Sequence, residues 1–274
     1  MGLYHLGPRL ATIGSLYGRH LIDNRCIPRL GENLYRSNSM SSQILEKLKQ
    51  FPLFVDVPDE RLEQMSQKTL VHEFNRQDYI WNEADISRYL YIIVSGRVKI
   101  LKHSETGKDV IVEIYGPSEA IGEMSLLVGG TYTTAAVCLS RTELLCVPKQ
   151  QILDLLAAVP GMAFLSLRSM AKRQRMLMQK IKELAAGGVE YRMAHLLLKL
   201  ADRIGEESTD SGIKIPLFLS RQDIADLVGT TVETAIRVMS RWRKMDIVTN
   251  DKRGIIIRDR ETLEDLAAGI TMHI

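Results

Sequence analysis

The chain has 274 residues, of which 45% are hydrophobic and 25% are charged, and its formal net charge is +3. This length allows two ordinary domains with packed cores, and the small net charge excludes a domain-wide basic surface, so any nucleic-acid affinity must come from a local patch. Its three cysteines do not make a disulfide framework, which favours a reducing, cytoplasmic compartment, and no apolar run approaches the ~20 residues needed to cross a bilayer.

Residues 1–39 differ in kind from the rest of the chain. They show no sustained periodicity, and five arginines make them mildly basic. They also lack the compact apolar segment and small-residue cleavage site of a secretory signal. We interpret them as a disordered or non-native extension with Met40 as the natural start; a genuine but disordered arm is the alternative.

A short helix is predicted at residues 43–49, and short segments rich in β-branched residues follow from about Thr69 to Pro148. Gly96, Gly107 and Gly116 separate some of these segments at roughly ten-residue spacing, which is typical of an antiparallel barrel or roll. We therefore predict one β-roll domain over residues 40–160. Cys138 and Cys146 are expected on neighbouring strands as small core residues, with a thiol switch as the alternative.

One long helix is predicted over residues 162–186, within a segment of residues 161–187. Seven positions recur along it at alternating steps of three and four, as in a coiled-coil seam. They are Phe164, Leu167, Ala171, Gln174, Met178, Ile181 and Ala185. A second stripe of Met170, Leu177 and Leu184 lies on another face. One stripe can therefore pair with a second copy of the helix while the other packs on the roll; the alternative is one amphipathic helix against a single core.

The basic side chains of this helix are expected to form a solvated face. They are Lys172, Arg173, Arg175, Lys180 and Lys182.

Residues 188–274 contain the most informative pattern. Ser220 is a good N-cap for one helix, Gly229 supplies a turn, and Thr230 or Thr231 can cap a second helix. The apolar positions of the two helices are Ile224, Ala225, Leu227, Val228, Ala235, Val238, Met239 and Trp242. Asp223 and Asp226 are expected as surface charges. Residues 246–258 are predicted to form two short strands around a basic turn, which completes a winged helix-turn-helix whose second helix enters the DNA major groove; a generic helical hairpin is the alternative.

The second of these helices carries charged residues opposite its apolar face. Glu233 and Arg237 are four residues apart, so one face presents an acceptor for cytosine N4 and a fork for guanine O6 and N7. The alternative is an ion pair that only decorates a solvated helix.

The order of roll, long helix and winged helix-turn-helix resembles that of the CRP/FNR family of bacterial transcription regulators. The resemblance covers about residues 42–267, and its most specific stretches are residues 91–100, Gly122-Glu-Met-Ser-Leu-Leu127 and Ser220-Arg-Gln-Asp-Ile-Ala225 through Arg237. It implies an α+β protein with a cyclic-nucleotide-binding-type β-roll, a dimerisation helix and a DNA-binding domain. The partners that it implies are double-stranded DNA, a second copy of the chain and RNA polymerase.

By the pattern of this family, Glu233 and Arg237 read a G·C pair in each half-site, and Val232 and Ile236 complete the base-reading set. Ile236 is placed to touch a thymine methyl. We expect a palindrome with TGA-like half-site cores whose centres lie ~10–10.5 base pairs apart. Backbone contacts are expected from Ser220, Arg221, Gln222, Thr231, Thr234, Arg241, Lys252 and Arg253.

The resemblance also implies an effector pocket formed by Gly122, Glu123, Met124, Thr133, Thr134, Leu177 and Met178. Family members that bind cyclic AMP have Arg-Ser where this chain has Thr133-Thr134, and Thr-Ser where it has Leu177-Met178. The cyclic phosphate therefore loses its guanidinium partner, and the adenine edge faces apolar side chains. We predict that the protein does not respond to cyclic AMP.

An iron–sulfur cluster of the FNR type is not expected, because its four thiolate ligands cannot come from three cysteines. Haem stays open as a cofactor, with His72, His103 and His195 as candidate ligands. An apolar small molecule, a redox signal or no ligand also stay open. Four methionines are expected to make a pocket between the roll and the long helix apolar and adaptable: Met124, Met170, Met176 and Met178.

These patterns together predict a homodimeric, effector-gated transcription regulator that binds specific DNA sites by a shift between conformational populations. The alternative is a cyclic-nucleotide-type regulatory module that acts through protein contacts alone. An enzyme is not expected, since the sequence shows no nucleophile–base pair, no metal-spaced cluster and no phosphate-loop motif.

Overall fold

Eight short strands between residues 70 and 148 pair into two four-stranded antiparallel sheets, as the alternation of apolar and turn residues predicts. The computed structural model describes residues 38–104, 109–207, 212–251 and 254–270. The predicted N-terminal extension, residues 1–39, lies outside these ranges except for its last two residues, which belong to the first helix.

The N-terminal half begins with helices α1 (Asn38–Lys49) and α2 (Asp59–Lys68), with a 3-10 turn at Pro52–Phe54 between them. The strands that follow are β1 (Leu70–Phe74), β2 (Tyr79–Trp81), β3 (Tyr89–Ser95), β4 (Val98–His103), β5 (Asp109–Tyr115), β6 (Ala120–Ile121), β7 (Ala135–Cys138) and β8 (Thr142–Pro148). One sheet has the order β1-β8-β3-β6 and the other β2-β7-β4-β5.

Strand β3 shows why the sequence of this sheet is apolar on both faces. Leu90 and Ile92 join the hydrophobic cluster that contains α1, α2 and the helix after β8. Tyr91 and Ile93, which alternate with them, are also buried. Because helices cover one face of the sheet and the other face is also buried, apolar side chains are favoured at consecutive positions of β3.

The expectation that Cys138 and Cys146 lie on neighbouring strands is wrong. Cys138 is on β7 and Cys146 is on β8, which belong to different sheets. Strands that follow each other in sequence pair often but not always, and here β8 pairs with β1 and β3 instead. Both thiols are buried, as expected of small core residues.

The short helix α3 (Glu123–Val128) follows Gly122 within the roll. The helices α4 (Lys149–Ala158) and α5 (Pro160–Ala186) follow its last strand, β8. Pro160 occupies the first turn of α5, where its missing N–H leaves no intrahelical hydrogen bond unmade. Among the described residues no single helix is long and apolar enough to cross a membrane; only α4 and α5 taken together, bent by 111°, pass that test.

The C-terminal half contains the helices α6 (Val189–Ile204), α7 (Arg221–Val228), α8 (Val232–Lys244) and α9 (Arg260–Ala267). Its sheet has the order β11-β12-β10-β9, with β9 at Glu206–Glu207, β10 at Ile213–Ile215, β11 at Val248–Asp251 and β12 at Gly254–Ile257. The predicted wing is present, because β11 and β12 pair antiparallel from Val248↔Ile257 to Asp251↔Gly254. Trp242 of α8 is fully buried in the core of this domain.

The roll and the winged domain share one hydrophobic cluster. Leu101, Ile111 and Val137 from the sheet β2-β7-β4-β5 belong to the same cluster as Leu197 of α6 and Ile224 of α7. Burying such side chains contributes about 1.5–3 kcal/mol each. The two halves are therefore held in one arrangement by core packing as well as by polar contacts.

Candidate DNA interface and effector cavity

The first helix of the helix-turn-helix is closed at both ends as the sequence predicts. The Ser220 hydroxyl accepts a hydrogen bond from the Asp223 N–H at 3.0 Å, and the Asp223 carboxylate accepts one from the Ser220 N–H at 3.0 Å, which makes a capping box. At the other end Gly229 adopts a left-handed conformation with φ 70° and ψ 52°. This conformation costs little only for glycine, so it allows the sharp turn into α8.

Arg192 of α6 holds this turn, a role that no local sequence pattern indicates. Its guanidinium donates to the carbonyls of Val228 at 2.8 Å and Gly229 at 3.4 Å, and also to that of Gly187 at 2.6 Å. The bonds to Val228 and Gly229 satisfy carbonyls that the end of α7 leaves without an intrahelical partner, and the bond to Gly187 does the same at the end of α5. Because the turn lies 36 residues further along the chain, only the tertiary structure reveals the contact.

Helix α8 presents the predicted base-reading residues on one accessible face. Its N-cap is Thr231, whose hydroxyl accepts from the Thr234 N–H at 3.3 Å. The apolar positions predicted from the sequence are all buried against the domain core. On the other side Glu233 and Arg237 are exposed, and Val232 and Ile236 are half-buried.

The residues that were predicted to contact the DNA backbone are mostly accessible. Arg221, Gln222 and Thr231 are exposed, while Ser220 and Thr234 are half-buried. The exposed Arg241 forms an ion pair with Glu190 at the start of α6. Lys252 and Arg253, predicted at the tip of the wing, lie outside the described residues.

Asp223 and Asp226 are not surface charges, so that expectation is wrong. Asp223 is 2% exposed and Asp226 is 8% exposed, because α7 packs against strand β5 of the roll. Lys99 of β4 donates to Asp223 at 2.5 Å, and Gln222 donates to Asp226 at 2.7 Å. Sequence periodicity placed these residues on the outside because it could not include a second domain covering that side of α7.

The surroundings of the two carboxylates shift their pKa values in opposite directions. Burial alone raises the pKa of Asp223, but the hydrogen bonds from Lys99 and Ser220 outweigh it and bring its net pKa below the ordinary value. Burial raises the pKa of Asp226, and the bond from Gln222 offsets this only in part. Asp223 is therefore a charged group at neutral pH that links the N-terminus of α7 to the roll.

Helix α5 exposes the whole predicted seam. All seven of its residues are accessible; Phe164 is 67% exposed, Leu167 65% and Ile181 60%. Of the second stripe, which was expected to pack on the roll, Met170 is half-buried, but Leu177 and Leu184 are 46% and 47% exposed, so for these two residues the expectation is wrong. Such a row of exposed apolar side chains is typical of a surface that pairs with another protein.

Two basic residues of α5 are not part of a solvated face, contrary to expectation. Arg173 forms an ion pair with Glu123, donates to the Ala120 carbonyl at 2.9 Å and lies 5.0 Å from the Tyr115 ring centre. Lys180 donates to the Ile111 carbonyl at 2.7 Å, where β5 is irregular, and burial lowers its pKa. Lys172, Arg175 and Lys182 are exposed as expected.

A cavity of about 480 Å³ lies between the roll and α5. Of the predicted effector-pocket residues, only Glu123 lines it. Met124, Thr133, Leu177 and Met178 are exposed instead, and Gly122 and Thr134 are half-buried outside the lining. Two of the four expected methionines, Met170 and Met176, do line it.

The candidate haem ligands do not line this cavity either. His72 lies on β1, His103 hydrogen-bonds to Asp109 at 2.7 Å, and His195 packs against Tyr191 on α6. None of these histidines belongs to the cavity lining, so the residues present there do not fit a histidine-ligated haem. Within the described ranges, no group of three or more His, Cys, Asp or Glu is arranged to hold a metal ion.

Comparison with known proteins matches both halves of the chain. Residues 71–159 match the cyclic nucleotide-binding domain, and residues 191–266 match the Crp-like helix-turn-helix domain. The chain is 30% identical to the cyclic AMP receptor protein of Thermus thermophilus over 192 residues, which cover 70% of this chain and 85% of that protein. It is 28% identical to the anaerobic regulatory protein of Bacillus subtilis over 206 residues, with 74% and 85% covered.

The fold is likewise similar to that of solved structures. FixK2 from Bradyrhizobium japonicum superimposes with a TM-score of 0.64 at 23% identity, covering 72% of this chain and 96% of the other. A transcriptional regulator of the crp/fnr family from Eubacterium rectale gives a TM-score of 0.65 at 17% identity, covering 80% and 98%. At these identities the likeness concerns the fold: roll, long helix and winged domain in the same order.

Proposed function

Because this chain belongs to the CRP/FNR family of DNA-binding transcription regulators, we propose that it acts as a homodimer on palindromic DNA under the control of a signal sensed by the roll. The observation that carries the proposal is the outer side of α8, where Glu233 and Arg237 are exposed and Val232 and Ile236 are half-buried, opposite a buried core face. A helix of this kind can enter a major groove without unfolding any part of its domain.

The chemistry of this face supports a definite half-site. The Arg237 guanidinium matches guanine O6 and N7, the Glu233 carboxylate accepts from cytosine N4, and the apolar Ile236 matches a thymine methyl. This combination supports a TGA-like core. The backbone-contacting set, Ser220, Arg221, Gln222, Thr231, Thr234 and Arg241 with Lys252 and Arg253 of the wing, would set the register on phosphates.

Two copies are needed to read a palindrome, and the α5 seam is the surface that we propose joins them. Paired seams would bury Phe164, Leu167 and Ile181, and Gln174 as the single polar member would fix the register. The two α8 helices would then face successive major grooves, ~10–10.5 base pairs apart. A protein working on DNA in this way acts in the cytoplasm, and the dimer on DNA would present a surface to RNA polymerase.

The test is selection of bound sequences from a random duplex pool by the full chain, followed by titration of the selected site. We expect an inverted repeat with TGA-like cores, bound by two chains. Selection of an unpaired or unrelated sequence would contradict the half-site. A complete failure to bind any duplex, with or without added cell extract, would favour a regulatory module that acts through protein contacts alone.

A signal in the roll would act by shifting the population of chain arrangements that present two recognition helices correctly. The roll and the winged domain are in direct contact through Lys99 and Asp223, and further ion pairs join α6 to β5 and to the loop after it. We propose that cyclic AMP is not the signal, since Thr133-Thr134 offer no guanidinium to a cyclic phosphate. Titration calorimetry with cyclic AMP tests this, and binding in the micromolar range would refute it.

A further inference from the structure

The cavity between the roll and α5 is lined partly by apolar and partly by charged side chains. Its apolar lining includes Leu90, Leu126 and Ile152, which are buried members of one hydrophobic cluster, and Leu53 and Leu156, which pack against that cluster. Its charged lining comes from α5, α6 and the segment from β5 to α3. A ligand that fits this lining must itself have an apolar body and a charged end.

The cavity is not the cyclic-nucleotide cradle that the family resemblance implies. Beside that cradle, Tyr132 stacks on Trp81 with ring centres 4.3 Å apart and donates to the Tyr89 carbonyl at 3.1 Å. A Cβ on Gly122 would lie 3.4 Å from the Tyr132 ring, at van der Waals contact, so this ring packs directly beside the glycine. The cations that line the cavity come instead from helices α5 and α6.

The charges at the cavity favour an anion. Its lining contains four cations, Lys172, Arg173, Lys199 and Arg203, and three carboxylates, Glu113, Glu119 and Glu123. Three of these cations already contact carboxylates, so a ligand carboxylate would have to take the place of a glutamate side chain: Arg173 pairs with Glu123, Arg203 with Glu113 and Glu119, and Lys199 with Glu113. A guanidinium binds a carboxylate through two parallel hydrogen bonds, which adds geometric specificity.

The two arginines converge on one short stretch of the roll. Arg173 of α5 donates to the Ala120 carbonyl at 2.9 Å, and Arg203 of α6 pairs with the side chain of the preceding residue, Glu119. Both arginines therefore line the cavity beside this stretch. Arg203 belongs to the winged domain and Glu119 to the roll. A ligand carboxylate that binds Arg203 in place of Glu119 therefore breaks a contact between the two halves.

We propose that the cavity binds an amphiphilic carboxylic acid, with its apolar body against the leucines and its carboxylate on Arg173 and Arg203, and that this is the signal that the roll transmits to the winged domain. This inference rests on the proposed function for its second half. The volume of about 480 Å³ is in the ~300–1,000 Å³ range of small-molecule sites. By linkage, a ligand that changes the DNA affinity must itself bind with a different affinity when DNA is present.

The test is titration calorimetry of the full chain with decanoate, 4-phenylbutyrate and decanol. We expect at least one of the two acids to bind, and decanol to bind at least about tenfold more weakly than decanoate, since it lacks the charge that the arginines recognise. If neither acid binds, or if decanol binds as tightly as decanoate, the ligand class is wrong.

Arg203→Gln tests the carboxylate contact, and Arg141→Gln is its matched control. Arg141 also pairs with a glutamate, Glu73, but it is on the surface away from the cavity lining. We expect Arg203→Gln to weaken acid binding at least about tenfold while decanol binding is unchanged, and Arg141→Gln to leave both unchanged. Equal losses in the two variants would overturn the assignment, and circular dichroism of both variants checks that they fold.

A parallel DNA titration separates this inference from the proposed function. We expect the bound acid to shift the affinity of the wild type for its palindrome, and to produce no further shift in Arg203→Gln. DNA binding without any acid binding would overturn this inference and leave the proposed function intact. Acid binding without DNA binding under any condition would overturn the proposed function and leave the ligand assignment intact.

Discussion

The winged domain and the half formed by the roll and α5 carry their candidate functional residues in different places. In the winged domain they lie on the outer face of one short helix, α8, whose inner face is completely buried. In the other half they line an internal cavity or lie on the exposed apolar seam of α5. A local element can be recognised from spacing alone, whereas a cavity exists only after distant segments meet.

The exposed faces of α8 and α5 also differ in chemistry. The accessible face of α8 combines the exposed, charged Glu233 and Arg237 with the half-buried, apolar Val232 and Ile236, so it suits a groove that offers both polar groups and methyl groups. The accessible face of α5 is apolar, and water is a poor partner for it. We therefore expect changes on α5 to act on assembly and changes on α8 to act on sequence choice.

The largest effect is expected from Ile181→Glu on the α5 seam. A buried, unpaired carboxylate at a dimer seam is strongly unfavourable, so the variant should be monomeric. A single winged domain loses the second, effectively intramolecular contact, so affinity for the full palindrome should fall by roughly 10²–10⁴-fold while half-site affinity stays unchanged. Sedimentation and DNA titration measure the two outcomes.

Val55→Glu is the control for this change, because Val55 is an apolar residue that is 70% exposed outside α5. It should leave assembly and DNA affinity at the wild-type level. If Ile181→Glu stays dimeric, the seam is not the dimer interface and the contrast between α5 and α8 fails.

Lys99→Met tests the contact between the two halves. It leaves the buried Asp223 carboxylate without its lysine, and breaking a buried ion pair in this way costs about 3–5 kcal/mol. Lys102→Met is the matched control on the same strand, because Lys102 is 53% exposed and its pair with Glu83 should be worth less than about 1 kcal/mol. Urea unfolding of both variants at pH 7 gives the two free energies, and equal losses would contradict the structural role of Asp223.

The stability lost in Lys99→Met should depend on pH. In the wild type the pKa of Asp223 is lowered, so the pair stabilises the fold above the unfolded pKa, and this contribution is lost as pH falls through the folded value. Without Lys99, burial should leave the pKa of Asp223 raised, so its protonation would favour folding. The deficit of Lys99→Met should therefore shrink as pH falls from 7 towards about 4. A constant deficit would show that the lysine acts through packing alone.

Arg237→Ala sharpens the contrast on the DNA side. It should weaken binding to the selected site by about 1–3 kcal/mol and relax the choice at one base pair of each half-site. The comparison variant is Arg243→Ala, which removes an exposed arginine from the last turn of α8 and should not change sequence preference. If Arg237→Ala weakened binding to all sequences equally, its assignment to base reading would be wrong.

The smallest effect is expected from the cap of α7. Ser220→Ala removes one acceptor of the capping box and should lower the free energy of unfolding by about 1 kcal/mol, whereas Ser220→Gly should lower it by only a few tenths. Chemical denaturation of both variants resolves this difference. Equal losses would indicate that the hydroxyl acts mainly through its 2.6 Å bond to Asp223 rather than as a cap.

Sequence reasoning located most elements of the fold because their patterns are short. Ser220, Gly229 and Thr231 occupy the cap and turn positions that they predict, and the apolar positions of α7 and α8 are buried. The seam of α5 from Phe164 to Ala185 follows from a repeat within one helix. In each case the signal and the structure lie within a few turns of the same chain segment.

The cavity and the contact between the two halves could not be predicted from local sequence patterns. Arg173 and Lys180 looked like solvated charges, and Asp223 like a surface residue, because their partners lie 53, 69 and 124 residues away. Met124, Thr133, Leu177 and Met178, which the family resemblance assigns to the effector pocket, do not line this cavity.

The sequence by itself thus determined the helix-turn-helix, its wing, the outward positions of Glu233 and Arg237 on α8 and the apolar seam of α5, since helix and strand periodicities are local properties of the backbone. Only the tertiary structure decided which charges are buried, which cations meet at Glu119 and Ala120, and where a ligand can enter. Those outcomes depend on how the sheets of the roll pack against α5, α6 and α7, and burial is what turns an ordinary charged residue into a specific contact.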